Sequence, residues 1–471
     1  MAYFDSGSTT VSEQAIIEAF FTELSCFNFD KAKDIVDKER ELLKNGSSGN
    51  SVNIIWLSLA SALSLLAIME KNYTSLAFLT TKRFLRSDNS LKSQYETLKL
   101  DLQRLGEVSK SSSSLGTPNS SASSTPTSLK GFFASSPVFP AVLLDTESLN
   151  HQDRLLIHIG GQLASFIMAR LDIIDFYEKL YISASNRFMK FDELHSHIKE
   201  IINRSQKQFH HPLLAPIKTV FNLETEILCM LIETQIQVAQ WKFFPALMNL
   251  YEANCKLGSW SAMFNQKETK KLLFQKPVVT PPLYQWLVKF KGHLVSKFTL
   301  YFYEVLSKQT TSQEIKNMCA KAPSDHHQKI VSFQKKYDAI YISLIFETRY
   351  NDNLHFGYHH PDRTINPPKG LDSFPAIFSY PTKPVSHWPN ILMIMSNRAE
   401  ELSNTDRVVC FFDKRVKATY FVSRIEPGMT FVVIFGSQKS DKDSNVILFM
   451  QELTSQLRGN KIFTNLKPGS K

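Results

Sequence analysis

The C-terminal quarter of the chain has a pattern of apolar residues that predicts paired β-strands. β-branched and aromatic residues fill 418–425 and 429–435, and Glu426-Pro427-Gly428 separates the two runs. Proline presets φ at the first corner of a turn and glycine accepts the positive φ of the next corner, so we expect a β-hairpin. Apolar residues then recur at three- and four-residue steps over 447–457, which predicts a helix that Gly459 ends.

The partners of this hairpin are expected upstream. Residues 339–346 and 391–395 are predicted strands, although the second run is short enough to be a buried helical turn. Residues 408–416 have apolar side chains at four-residue steps and are predicted as a helix, with a buried strand as the alternative. With a further helix at 330–337, the predicted order is helix, two strands, helix, two strands, helix. This order is typical of an antiparallel sheet covered by helices, an α+β domain.

Helical periodicity dominates the rest of the chain, which predicts a long helical bundle. One segment, 52–69, has eighteen residues without a charge and just reaches the length of a membrane span. Its serines and the helices predicted on both sides favour a buried helix of the bundle instead. The predicted domains are bundle helices in 1–106, a Ser/Thr/Pro-rich disordered linker in 107–145, long bundle helices in 146–320, and the α+β domain in 321–471 with a long loop at 348–389.

Composition narrows the class of protein. The chain has 471 residues, of which 43% are apolar, enough for two or three packed domains. Its five cysteines are widely spaced and predict reduced core thiols of a cytosolic protein. The net charge of +10 is dispersed among 44 acidic residues, so we expect a solvated surface and no nucleic-acid site. The N-terminus lacks the pattern of a secretory signal.

The loop at 348–389 holds the one group of side chains that suggests enzymatic chemistry. Imidazoles and a carboxylate are ligands for zinc or iron, but His355 and His359 lie in a loop that contains glycine and tyrosine, not on a helix, and no cysteine or second carboxylate completes the set. Surface or packing histidines are therefore the favoured interpretation. Nucleotide-binding, hydrolase and zinc-protease motifs are also missing from the sequence, which favours a protein that binds other proteins. The residues of the hypothetical metal site are His355, His359, His360, Asp362 and His387.

Five short segments carry a resemblance that runs from about residue 12 to the tail at 466–469. In these segments the chain resembles the KICSTOR subunit family, whose members join a helical bundle to a roadblock-type domain. The Ser/Thr/Pro tract at 109–128 is longer and more biased than expected for that family. The segments are DFYEKLY at 175–181, FHHP at 209–212, YFYEVLSKQTT at 301–311, GYHHP at 357–361 and HWPN at 387–390.

The resemblance implies a fold and a function. It implies a helical bundle followed by a smaller roadblock/longin-like α+β domain, in the order helix, two strands, helix, three strands, helix. It implies a non-enzymatic scaffold without cofactor, whose partners are kaptin, an FG-GAP repeat protein and a very large scaffold subunit. This assembly would recruit the GATOR-type GTPase-activating complex for Rag GTPases to the lysosomal surface and so lower TOR signalling when amino acids or glucose are scarce.

Two alternatives from other classes stay open on the sequence alone: a stand-alone roadblock-type regulator of small GTPases, and a metal-dependent enzyme built on the 355–387 histidines. Without a visible span or lipidation motif, we expect a cytoplasmic protein that reaches the lysosome through its partners. Aromatic residues dominate many interfaces, so five of them are candidate contacts, with core packing as the alternative. These candidates are Trp241, Phe244, Trp260, Phe264 and Trp286.

Overall fold

In the N-terminal two thirds of the chain, the residues that the structure describes are mainly helical. The structure is a computed structural model and describes residues 13–45, 53–79, 90–110, 151–184, 189–265, 280–311, 313–315, 317, 324–350 and 368–466. The helices of this region are α1 (Glu13–Ser25), α2 (Phe29–Asn45), α3 (Ile54–Thr74), α4 (Leu91–Lys110), α5 (His151–Ser183), α6 (Phe191–Ser205), α7 (Ala215–Ala239), α8 (Phe243–Asn265), α9 (Pro282–Tyr301) and α10 (Tyr303–Gln309). This confirms the predicted helical region.

Helices α3 and α5 lie at the centre of this region. The side chain of Asn53 caps α3 by accepting a hydrogen bond from the backbone N–H of Trp56 at 3.1 Å. Both helices are long and apolar enough to cross a membrane by length and composition, but 67% of the most apolar window of each is buried in the fold. A core helix meets the same criteria as a membrane span. The segment predicted as a buried bundle helix, 52–69, thus forms most of α3 and packs in the core.

The C-terminal region is an α+β domain, as predicted. It contains α11 (His326–Tyr337), α12 (Trp388–Asn397), α13 (Ala399–Leu402), α14 (Ser444–Arg458) and α15 (Asn460–Thr464), and strands β1 (Tyr341–Phe346), β2 (Ala376–Tyr380), β3 (Val409–Asp413), β4 (Ala418–Glu426) and β5 (Met429–Phe435). The sheet has the order β2-β1-β5-β4-β3, and every neighbouring pair is antiparallel. The predicted hairpin is the β4–β5 pair, and Gly428 in its turn has φ of +82°.

Both faces of the sheet are covered. On one face, Trp388, Ile391 and Ile394 of α12 pack against Val432 and Ile434 of β5. The other face joins α11, α14 and the helical region in one continuous apolar core. Strand β5 is buried along its whole length, as expected for a strand between two packed layers. The helical region and the α+β domain therefore share a core.

Three local predictions were wrong. Residues 391–395 form part of α12, because Pro389 occupies its first turn and Ile391, Ile394 and Met395 face the sheet at helical spacing. Residues 409–413 form strand β3, because pairing with β4, where Val409 lies opposite Val422, outweighs the four-residue apolar spacing. The stretch 348–389, predicted as a loop, contains β2.

Two predicted boundaries bear on the domain division. Helix α4 continues to Lys110, beyond the predicted start of the linker at 107, and the rest of the linker to 145 lies outside the described residues. The boundary predicted between 320 and 321 falls at 318–323, which is also outside them.

Candidate protein-interaction sites

A buried ionic cluster joins four helices of the helical region. Arg170 on α5 donates from Nε and Nη2 to the two carboxylate oxygens of Glu70 on α3, each at 2.9 Å. Its Nη1 donates to Oε2 of Glu224 on α7, also at 2.9 Å. The three residues are at most 5% exposed. One guanidinium therefore binds two carboxylates away from water.

Two tyrosines complete the cluster. Tyr95 on α4 donates its hydroxyl to Glu70 at 2.9 Å, and Tyr73 donates to Glu224. Burial by itself would lower the pKa of Arg170, but the neighbouring Glu70, Tyr73 and Glu224 outweigh it and raise that pKa above its ordinary value. The guanidinium of Arg170 is thus held in its charged form. The cluster ties α3, α4, α5 and α7 together and is a structural element of the helical region.

A second buried ion pair connects the helical region to the α+β domain. Lys297 on α9 is fully buried and donates to Oε2 of Glu426, at the end of β4, at 2.8 Å. The hydroxyl of Tyr301 donates to the other carboxylate oxygen at 3.0 Å. Burial lowers the pKa of Lys297, and the carboxylate of Glu426 opposes that shift. We call this group of Lys297, Tyr301 and Glu426 the junction.

Two histidines lie beside the junction. Burial lowers the pKa of His293 to about 3 and that of His326 to about 4, so both are neutral near pH 7. Gly459 ends α14 with φ of +80°, and a Cβ at this position would lie 2.8 Å from Nε2 of His293. Glycine is therefore required there both for the backbone conformation and for the close contact.

A groove of about 540 Å³ opens above the junction. Its walls come from the start of α6, the end of α7 and the β4–β5 turn, and Glu426 lies among its lining residues. Apolar and charged residues both line the groove, a composition that suits a polypeptide segment of a partner. The residues that line the groove include Phe191, Ile236, Ala239, Tyr350, Pro427 and Arg458.

The comparisons with known proteins decide the family. A family model described as "KICSTOR complex C12orf66 like" matches residues 7–127 and 141–471. A Xenopus laevis protein named KICSTOR subunit 2 is 39% identical over 99% of each chain, and a Danio rerio protein of the same name is 38% identical over 98% of this chain and 96% of its own. This chain belongs to the KICSTOR subunit 2 family. The resemblance found in the sequence is confirmed.

In this member of the KICSTOR subunit 2 family, four of the five candidate contact residues lie in the core. Trp241 donates its indole N–H to the carbonyl of Tyr301 at 3.2 Å, and Trp286 donates to the carbonyl of Ile462 at 2.9 Å. Trp260 and Phe264 are buried in the same core. Core packing, the alternative interpretation, therefore explains these four aromatic residues, since a buried ring is not available to a partner. Phe244 is 51% exposed and keeps the exposure that a contact needs.

Of the hypothetical metal site, His387 lies in the described part of the chain. His355, His359, His360 and Asp362 lie outside the described residues. His387 is buried, with Nδ1 2.7 Å from the hydroxyl of Tyr420. Among the described residues no three His, Cys, Asp or Glu side chains form a possible metal site. His387 therefore has a packing role.

Sequence reasoning missed the buried ion pairs. Arg170 occupies the apolar stripe of α5, between Phe166 and Ile174, and Lys297 occupies the buried side of α9. A charged residue at a core position needs a buried partner, and this was the available signal. The partners Glu70, Glu224 and Glu426 come from other elements, so spacing along one helix does not identify them.

Proposed function

We propose that this chain is a non-enzymatic scaffold subunit of the KICSTOR complex. The observation that carries the proposal is the match to KICSTOR subunit 2 proteins over nearly the whole chain. We further propose that the α+β domain is of the roadblock type, because its order of helix, two strands, helix, three strands, helix is the order that the resemblance implies.

In this proposal the chain assembles with kaptin, the FG-GAP repeat protein and the very large scaffold subunit. The assembly helps to recruit the GATOR-type GTPase-activating complex for Rag GTPases to the lysosomal membrane surface. TOR signalling then falls when amino acids or glucose are scarce. The chain itself is cytoplasmic and peripheral to the membrane, and its partners bring it there.

We propose that the groove above the junction receives a segment of one of these subunits. The groove lies where the helical region and the α+β domain meet, so a segment bound there contacts both parts at once. Apolar contacts would come from Phe191, Ile236 and Tyr350, and charged contacts from the exposed Lys190 and Asp192 at the edge of the groove. Interface cores of this kind combine aromatic contacts with a polar rim.

Filling the groove tests this proposal. Ala239 lies partly exposed in the last turn of α7, so arginine at this position would occupy the groove without removing core packing. We expect Ala239→Arg to reduce the amounts of kaptin, FG-GAP repeat protein and large scaffold subunit that co-purify with the tagged chain from cells. The melting temperature of the purified variant should stay close to that of the wild type.

The matched control is Thr219→Arg, on an exposed position of the same helix but away from the groove. This variant should retain the partners. Unchanged recovery of all three subunits with Ala239→Arg would show that the groove is not their binding site. Failure of the wild-type chain to recover any of them would contradict membership of the complex.

A further inference from the structure

Helix α8 has an outer face that is apolar and exposed. Its inner face packs on α7 and α9 through residues such as Ala246, Leu250 and Trp260. Four large apolar residues on the outer side follow the spacing i, i+3, i+4, i+7, which places them on one face of the helix. They are Phe244, Leu247, Met248 and Tyr251, with exposed fractions of 51%, 38%, 48% and 65%.

The same face continues toward the C-terminus with small residues. Successive residues of a helix are about 100° apart, so the positions that follow at 255, 258, 259 and 262 share the face with the large ones. A Cβ on Gly258 would meet no atom within 4 Å, so this half of the face is open and flat. The small residues are Cys255, Gly258, Ser259 and Ala262.

The large and small residues are arranged symmetrically about the middle of the helix. Each large residue has a small counterpart at the same distance on the other side of Ala253. A two-fold axis through that point would place the large half of one α8 over the small half of an antiparallel second α8. The counterparts are Tyr251 and Cys255, Met248 and Gly258, Leu247 and Ser259, and Phe244 and Ala262.

We propose that the outer face of α8 binds a second copy of this chain, with the two α8 helices antiparallel about Ala253. A two-fold interface uses the same patch on both subunits and so must be complementary to itself. The arrangement of large and small residues meets this requirement, whereas a different partner would impose no symmetry about Ala253. In this dimer, Met248 would lie over Gly258 of the second copy.

The charges on this face agree with a protein partner. Among the exposed residues of α8 between 243 and 264, Glu252 is the only charged one. Its carboxylate lies 3.6 Å from Nζ of Lys256, which also pairs with Glu226 at 2.8 Å. Two carboxylates thus face the one lysine of this flank, whereas helices that bind anionic membranes carry several lysines or arginines there. A second copy therefore fits better than a lipid surface.

The area of this face indicates how tightly the two copies should bind. A 23-residue helix is about 34 Å long. The area of a strip along one face of such a helix is roughly half of the ~800 Å² per partner that a standard stable interface buries. We therefore expect a reversible dimer whose population rises with protein concentration.

Sedimentation velocity of the purified full chain over a wide concentration range tests the dimer. Wild type should shift from monomer toward dimer as concentration rises. Gly258→Leu fills the flat half of the face and should leave a monomer at all concentrations, and Met248→Ala should weaken the dimer. Leucine also favours a helix more than glycine does, so loss of the dimer would not reflect loss of α8.

The matched control is Gly161→Leu on α5, another helical glycine with no atom within 4 Å of a Cβ. It should dimerise as the wild type does. Cys255 lies close to the proposed axis and is exposed, so a short thiol-specific cross-linker should yield covalent dimers that disappear in Cys255→Ser and in Gly258→Leu. A wild type that stays monomeric, or a dimer that Gly258→Leu leaves unchanged, overturns the proposal. Both results are independent of whether kaptin or the scaffold subunit binds.

Discussion

Replacement of Arg170 by methionine is expected to destabilise the helical region by about 3–5 kcal/mol, the usual result of removing one partner of a buried ion pair. The guanidinium binds Glu70 and Glu224 in a site where all three residues are buried. Methionine keeps much of the side-chain volume but supplies no donor. Two carboxylates would then remain without their cation, and burial of an unpaired charge is costly.

Urea unfolding followed by circular dichroism measures this loss. Arg204 provides the matched control, because it also pairs with two carboxylates, Asp172 and Glu200, but is 46% exposed. Arg204→Met should change the free energy of unfolding by less than about 1 kcal/mol, as is usual for exposed pairs. Equal effects of the two substitutions would contradict the assigned role of the buried cluster.

Neutralising the carboxylates should recover part of the lost stability. In Arg170→Met combined with Glu70→Gln and Glu224→Gln, no unpaired charge remains, and the amides still accept hydrogen bonds from Tyr95 and Tyr73. The triple variant should therefore be more stable than Arg170→Met alone. If it were less stable, loss of packing and not of charge pairing would explain the first result.

Replacement of Lys297 by methionine is the second large expected effect. It removes the cation that pairs with Glu426 across the junction and leaves a buried carboxylate with the hydroxyl of Tyr301 as its remaining donor. We expect a loss of about 3–5 kcal/mol in the free energy of unfolding. Lys297 belongs to the helical region and Glu426 to the α+β domain. In limited proteolysis, the junction of the variant should therefore be cleaved at a lower urea concentration than that of the wild type.

Lys291 on the same helix is the control. It donates to Oδ1 of Asn254 at the surface, so Lys291→Met should have a small effect on stability and none on proteolysis. Adding Glu426→Gln to Lys297→Met should restore part of the stability. Wild-type stability of Lys297→Met would show that the junction does not depend on this ion pair.

The sequence was sufficient to predict elements whose conformation depends on neighbouring residues in the chain. The hairpin at 418–435 follows from β-branched residues around Pro427-Gly428, and the end of α14 follows from Gly459 in the left-handed conformation. At 391–395 and 408–416 the apolar spacing suited both a helix and a strand. Tertiary contacts decide between helix and strand there. Residues 391–395 pack as a helix on the sheet, and residues 409–413 pair with β4.

The sites were harder to predict than the fold. Helix α8 is apolar on nearly all sides, so its sequence does not show which side faces α7 and α9. Trp260 and Phe244 are both plausible contact residues by type, yet one is fully buried and the other is half exposed. The groove is formed by segments from 189 to 460, and no pattern within one segment indicates that they meet.

In the proposed function, this chain acts as a scaffold subunit whose partners bring it to the lysosome. The most direct test is to image the tagged full-length chain in cells with and without the very large scaffold subunit. We expect the chain to concentrate at lysosomes when that subunit is present and to give a diffuse cytoplasmic signal when it is absent. Lysosomal concentration in its absence would contradict recruitment through the scaffold and would indicate a membrane determinant in the chain itself.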